Sequence, residues 1–471
     1  MLVATAVAAA LSYLPAASQA QGASELGQIR EQLQSLMQRV DKLEQENSSL
    51  KEENENLKSQ TDYLKSETKG IRKDVATVSA DSGKVKGADW AGKVAITGDI
   101  RYRYEGISDE TLNASGVQNT ADRYRDRVRA RVNVTAKATD TITAGFGLAT
   151  SEGTADSTVG GDPRSSNQTL SNSFSRKAIY LDTAYVDWKF ASWGDLIAGK
   201  MKQPFFKPGQ SFFWDNDINP EGLAFTLNQG IWFGSAYYYW LNEISGNEST
   251  ITSDINLMGA QAGVKLPIGS SNLVLAAHYY DLRGGQGRSP FWQAVPGTTT
   301  AVAGGLANGN TTTNVTFGSG ATAVTRAVLV NDYDVTEISA EFNTMLGAYP
   351  FQAWALGAKN SDPDDLDTAW AAGVLFGKAS NYRTWELGVA YESLEKDALF
   401  GQLIDSDFAG GVTDGEGWIF RAGYAPVKNW TLNATYFMTK RNVDVGTTPI
   451  AGVPQTDIDY DRLQVDFNVK F

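Results

Sequence analysis

The sequence contains no cysteine and a single histidine, His278. The first absence excludes a disulfide framework and a thiolate metal site. The second leaves a histidine metal centre or a Ser-His-Asp hydrolase poorly supplied. Positive charge is short as well: 41 Lys and Arg stand against 54 Asp and Glu, for a net charge of −13. Phosphate backbones require a basic footprint, so no nucleic-acid partner is expected. Past the first twenty residues no apolar run is long enough for a transmembrane helix. Proline is missing from 26–75, and 471 residues leave room for more than one domain.

What is present begins with "MLVATAVAAALSYLPAASQA". An apolar run from Leu2 to Leu14 precedes the small residues Ser18 and Ala20, so residues 1–20 read as a secretory signal peptide. A basic residue near its start is lacking, which leaves a start upstream of Met1 open. A buried apolar helix is the alternative reading. Residues 21–75 are rich in Glu, Lys, Gln and Asn, with Ile29, Leu36, Leu43, Leu50, Leu57, Leu64 and Ile71 recurring every seven positions. Asn47 and Asn54 stand in the partner seam position. This heptad pattern predicts a self-associating coiled-coil stalk, without separating dimer from trimer. A lone solvated helix is the alternative. Residues 76–92 lose the heptads and read as a linker.

Residues 93–471 follow period two. In "RYRDRVRARVNVTAKA", Arg123, Arg125, Arg127, Arg129 and Arg131 alternate with Val128, Ala130, Val132 and Val134. In "RLQVDFNVKF", Leu463, Val465, Phe467, Val469 and Phe471 alternate with Arg462, Gln464, Asp466, Asn468 and Lys470. Sixteen such segments run from 94–105 to 457–471, separated alternately by short and mostly longer gaps. That pattern predicts an all-β fold, an antiparallel transmembrane β-barrel of about sixteen strands with lipid outside and water inside. Aromatics at strand ends, including Tyr237 to Trp240, Trp188, Trp193, Trp418 and Trp430, are expected to form interfacial girdles. Phe467, Val469 and the terminal Phe471 are read as the barrel assembly signal. A soluble β-sandwich or solenoid is the competing fold.

Charge on a lipid face at mid-depth costs about 2–4 kcal/mol, so the arginines are expected to line the lumen. Arg101, Arg103, Arg123, Arg125, Arg127, Arg129, Arg131 and Arg462 would form a basic wall near the seam. The aromatic-rich segment "PFFKPGQSFFWDNDINPEG" carries Asp215, Asp217 and Glu221. It is expected to fold inward and set these carboxylates across from the arginines, creating a transverse field. The alternative has the segment covering the mouth while the arginines pair with Asp99, Asp126 and Asp187.

The blocks "GDIRYRYE", "RVRARVNVTAKATDTITAGFGLAT", "SNQTLSNSFSRKAIYLDTAYVDW", "AGKMKQPFF" and "WDNDINPEGLAF" resemble those of a family of bacterial outer-membrane proteins, the putative porins. The resemblance covers most of the chain after Gly92. It implies a barrel in the outer membrane of a Gram-negative bacterium, passive diffusion of ions and small hydrophilic solutes, a constriction loop at 204–221 and homotrimers. Lipid, lipopolysaccharide and further copies of the chain are then the expected partners, with peptidoglycan open as a partner of the stalk. No metal, cofactor or enzymatic activity is expected; His278 lies in "LAAHYYD" with no nucleophile elbow in view. The alternative function is a stalked tether between membrane and cell wall, with the barrel as its anchor.

Overall fold

The computed structural model describes residues 33–55, 57–58, 61, 91–111, 122–152, 161–171, 173–209, 211–242, 254–288, 290, 307–320, 323–442 and 456–471. The signal peptide and almost all of the linker lie outside them, as does the heptad region beyond residue 61. The chain divides into two units, Met1–Trp90 and Ala91–Phe471. In the first, residues 33–55 form an α-helix. Its heptad residues Leu36, Leu43, Leu50 and Leu57 are exposed in the single chain, as are Asn47 and Asn54.

Among the described residues of the second unit, a 17-stranded antiparallel sheet closes on itself. One member is only the pair Gln168–Thr169, which leaves sixteen wall strands. In chain order these are β1 (Val94–Asp109), β2 (Arg123–Lys137), β3 (Ile142–Thr150) and β4 (Ile179–Ala191). Next come β5 (Gly194–Lys200), β6 (Glu221–Gln229), β7 (Trp232–Asn242) and β8 (Ile255–Ile268). They continue as β9 (Ser271–Arg283), β10 (Asp334–Leu346), β11 (Tyr349–Asn360) and β12 (Thr368–Gly377). The last are β13 (Thr384–Leu394), β14 (Gly415–Val427), β15 (Trp430–Arg441) and β16 (Ile458–Lys470). Each strand pairs with its sequence neighbours, and β1 pairs with β16 from Asp99↔Lys470 to Asp109↔Tyr460. The wall is thus the expected barrel, and closure leaves no unpaired edge.

Alternation decides which side chain meets which medium. Along β16, Arg462, Gln464, Asp466 and Asn468 are buried inside, while Leu463, Phe467 and Val469 are exposed outside. The terminal Phe471 is also exposed, and its backbone exchanges two hydrogen bonds with Gly98. A side chain at Gly98 would run into the Phe471 ring and the Arg131 carbonyl, so the seam needs glycine there. One sequence expectation needs correcting. The run Tyr237 to Trp240 is not one aromatic girdle: Tyr238 and Trp240 face outward, but Tyr237 and Tyr239 are buried inside and stack at 4.4 Å. Period two splits any such run between two faces.

The segment between β9 and β10 carries a small hairpin, Thr312–Phe317 with Val324–Leu329. Inside the barrel, Phe205, Phe212, Phe213 and Trp214 pack with Leu399, Phe400, Leu403 and Phe408 in one apolar core. A loop able to bury that much apolar surface gains more by folding into the barrel than by standing in water.

Candidate functional site

The site begins with the register of β1 and β2. Arg101 lies directly opposite Arg129, and Arg103 opposite Arg127. Like charges at such positions repel, so the arrangement requires carboxylates between them. Asp99 accepts from Arg129 at 2.9 Å and from Arg131 at 2.7 Å. Glu105, fully buried, accepts from Arg125 at 2.6 Å and lies 3.7 Å from Arg127. Asp466 takes two bonds from Arg103 across the seam, at 2.7 and 2.9 Å. Arg123, at the loop end of β2, is exposed and stands outside this ladder. Asp126 does not serve the arginines, because it faces outward and accepts from the Tyr102 hydroxyl.

Besides the loop after β3, whose Asn167 accepts from Arg101 at 2.6 Å, two loops face this wall. One joins β5 to β6 over 201–220, and the other joins β13 to β14 over 395–414. Each carries an Asp-X-Asp clip. Asp215 Oδ1 accepts from the Asp217 amide at 2.7 Å, and Asp405 Oδ1 accepts from the Asp407 amide at 2.8 Å. These are Asx turns, which fix the second aspartate by means of the first. The two clips are tied to each other. The Asp215 amide donates to Leu403 O, the Asp405 amide donates to Phe212 O, and the Ser406 amide donates to Asp215 Oδ2. The second aspartate of each clip reaches the arginines. Asp217 lies 3.2 Å from Arg131, while Asp407 lies 2.6 Å from Arg462 and 3.1 Å from Arg103. Arg164, from the loop after β3, braces the second loop by donating to Gly401 O and Gly411 O.

The opposite wall holds the first loop in place. Gln261 exchanges two bonds with the Phe206 backbone, at 2.7 and 2.8 Å. Glu341 accepts from the Gly209 amide at 2.6 Å, and Glu392 from the Phe212 amide at 3.3 Å. Glu337 accepts from Trp214 Nε1 at 3.1 Å and is bonded to His278 Nδ1 at 2.7 Å. His278 Nε2 shares a bond with the Tyr237 hydroxyl. The lone histidine therefore sits in a buried bracket behind the loop.

Of the three acidic residues expected to oppose the arginines, Asp217 does so. Asp215 is the positioning half of its clip, and Glu221 is the first residue of β6, pairing with Lys200 at 2.9 Å. Asp407 takes the place expected of them. The loop 395–414 escaped sequence reading because an inward-folded loop has no period. A usable signal existed: "WDND" and "IDSD" repeat one clip, and Leu399, Phe400, Leu403, Ile404 and Phe408 are too apolar for a solvated loop.

The clips differ in charge. Burial and the neighbouring Asp407 raise the Asp405 carboxyl to about 7. Burial also raises Asp215, with Asp405 adding to the effect. Burial opposes ionisation of Asp407 too, but Arg103 and Arg462 hold it well below the usual carboxylate range. For Asp405, folding retains a proton that the unfolded chain releases from the ordinary carboxyl value of 3.8 upward. Its stabilising share therefore declines as pH rises from about 4 to about 7, and above that the loop carries one more negative charge. We expect stability to fall as pH rises toward about 7 and that fall to vanish in Asp405→Asn. Urea unfolding measured from pH 5 to 9 checks this. Lys207, which burial lowers to about 8, would add a separate later step that Asp405→Asn leaves in place.

A family described as "Putative porin" matches residues 107–346 and 325–471. The chain belongs to the putative porin family. No curated protein matches it. Among solved structures, this porin is similar to OprB of Pseudomonas putida, at 12% identity and a TM-score of 0.48 over 81% of this chain and 95% of that one. It is similar to a trimer form of OmpT from Vibrio cholerae, at 11% identity and a TM-score of 0.42 over 80% and 99%. It is also similar to a mutant of Rh. blastica porin, at 10% identity and a TM-score of 0.43 over 80% and 99%.

Proposed function

We propose that this porin is an outer-membrane diffusion channel for ions and small hydrophilic solutes. One observation carries the reading: within a closed barrel that is apolar outside, carboxylates on inward-folded loops stand 2.6–3.2 Å from a row of wall arginines. The exposed edges of such an ion-paired cluster present fixed charge to the lumen, which orders ions and orients polar solutes without any cofactor. The filter would consist of Arg101, Arg103, Arg125, Arg127, Arg129, Arg131 and Arg462 on the wall, faced by Asp217 and its partners. The helix at 33–55, whose apolar heptad seam is exposed in a single chain, supports self-association through a periplasmic stalk, with a trimer as the expected state.

The test is current through the refolded protein in a planar bilayer under a salt gradient. A stable open conductance is expected, and its reversal potential reports which row of charge dominates. A folded barrel that stays silent overturns the channel. It would favour a tether, in which the same exposed seam joins copies of the stalk and the barrel only anchors them.

A further inference from the structure

The two loops contribute unequally to what a passing ion meets. Within the charge network, Asp215 is only 3% exposed and Glu105 is fully buried, so neither faces luminal water. The side chains of Asp407, Asp217 and Arg131 are 21, 17 and 24% exposed. Asp407 sits between two arginines from different strands, β1 and β16. Arg103 and Arg462 stand against Asp407 and Asp466, and Arg101 lies 3.7 Å from Asp466 as a third guanidinium.

We infer that Asp407, on the loop 395–414, determines the ion selectivity of the channel, with Asp405 and Ser406 as its positioning residues. The inference rests on the channel reading and adds a second loop to its filter. Its physical content is local net charge. With Asp407 in place, its carboxylate offsets Arg103 and Arg462 where the cluster meets water. Removing that one charge leaves two guanidinium groups, held within 3.1 Å of its former position, short of a counter-charge. An anion in the lumen is then attracted there, and a cation is repelled. Asp215 cannot act this way, since it is buried and turned into its own clip.

The experiment compares chloride and potassium permeability of the wild type with Asp407→Asn, Asp407→Glu and Asp126→Asn. Asp407→Asn should raise the chloride-to-potassium ratio about threefold to tenfold, the scale of one fixed charge at contact distance in a partly wet site. Asp407→Glu should return the ratio to near wild type, and Asp126→Asn, on the outer face, should leave it unchanged. A structural role alone would not follow charge in this way. If Asp407→Asn does not fold, the pair Asp407→Asn with Arg462→Gln keeps the net charge of the cluster; the inference requires it to conduct with the wild-type ratio. A conducting wild type with an unchanged Asp407→Asn ratio, or a shifted ratio in the balanced pair, overturns the inference alone. A silent wild type overturns the channel reading itself.

Discussion

Asp466→Ala is expected to destabilise the barrel by about 3–5 kcal/mol, because it strands a buried guanidinium. Asp466 faces Arg103 directly across the closing pair β1–β16 and takes two of its bonds, and the Arg103 side chain is only 6% exposed. The cost is less the lost attraction than the charge left without its partner. Arg103 then keeps Asp407 alone, from an inward-folded loop rather than from the wall. Urea unfolding in lipid vesicles should show the loss as a lower midpoint. Replacing both partners, Arg103→Met with Asp466→Leu, should recover much of it, since an apolar pair of similar size avoids the desolvation penalty. A midpoint for Asp466→Ala indistinguishable from wild type would mean that the seam is held by its backbone ladder alone.

Trp214→Ala should alter the lumen more than the wall. Trp214 is 3% exposed, packs against Phe205 and Tyr280 at 4.9 Å, and donates to Glu337. Removing a buried tryptophan costs about 3–5 kcal/mol where neighbours cannot close the gap. Here the loss falls on the attachment of the loop 201–220, and through the paired clips on the loop 395–414. We expect larger and noisier single-channel currents, together with faster proteolytic cleavage within both loops. The barrel itself should remain intact on heated and unheated gels. Trp188→Ala, on the outer face, should leave the current unchanged and serves as the control. If Trp214→Ala shows wild-type current and wild-type cleavage, the loop is held by its backbone bonds to Gln261 and Glu341.

The wall was legible in the sequence because one face of every strand is buried, and a period of two can be read without any long-range information. The ten-residue alternation of β16 places Arg462 and Asp466 inside with no knowledge of their partners. The basic ladder on β2 follows from the same argument. What period two could not supply was the pairing of Arg103 with Asp466, or which loop meets the arginines. The first is a register between strands 363 positions apart in the chain. The second depends on loops, where backbone direction is set by tertiary bonds such as Gln261 to Phe206. The sequence reading therefore chose the loop with tryptophan and phenylalanine beside its aspartates. It passed over 395–414, whose phenylalanines and leucines are interspersed with glycine. The tyrosine run 237–239 failed for the opposite reason, because composition was read across a boundary that alternation draws through it.

The knot of bonds between Asp215, Leu403, Asp405 and Phe212 joins positions about 190 residues apart, with the eight strands β6 to β13 lying between them. Loop-closure entropy makes so distant a contact affordable only after the intervening hairpins have formed. The expected order is therefore the wall first, with its interior still unfurnished, and the crossbar last. Mutations in either clip should leave insertion untouched and act afterwards, as a single inherited unit: exchanging one loop for that of a homologue without the other would produce a sound cylinder with a broken sieve.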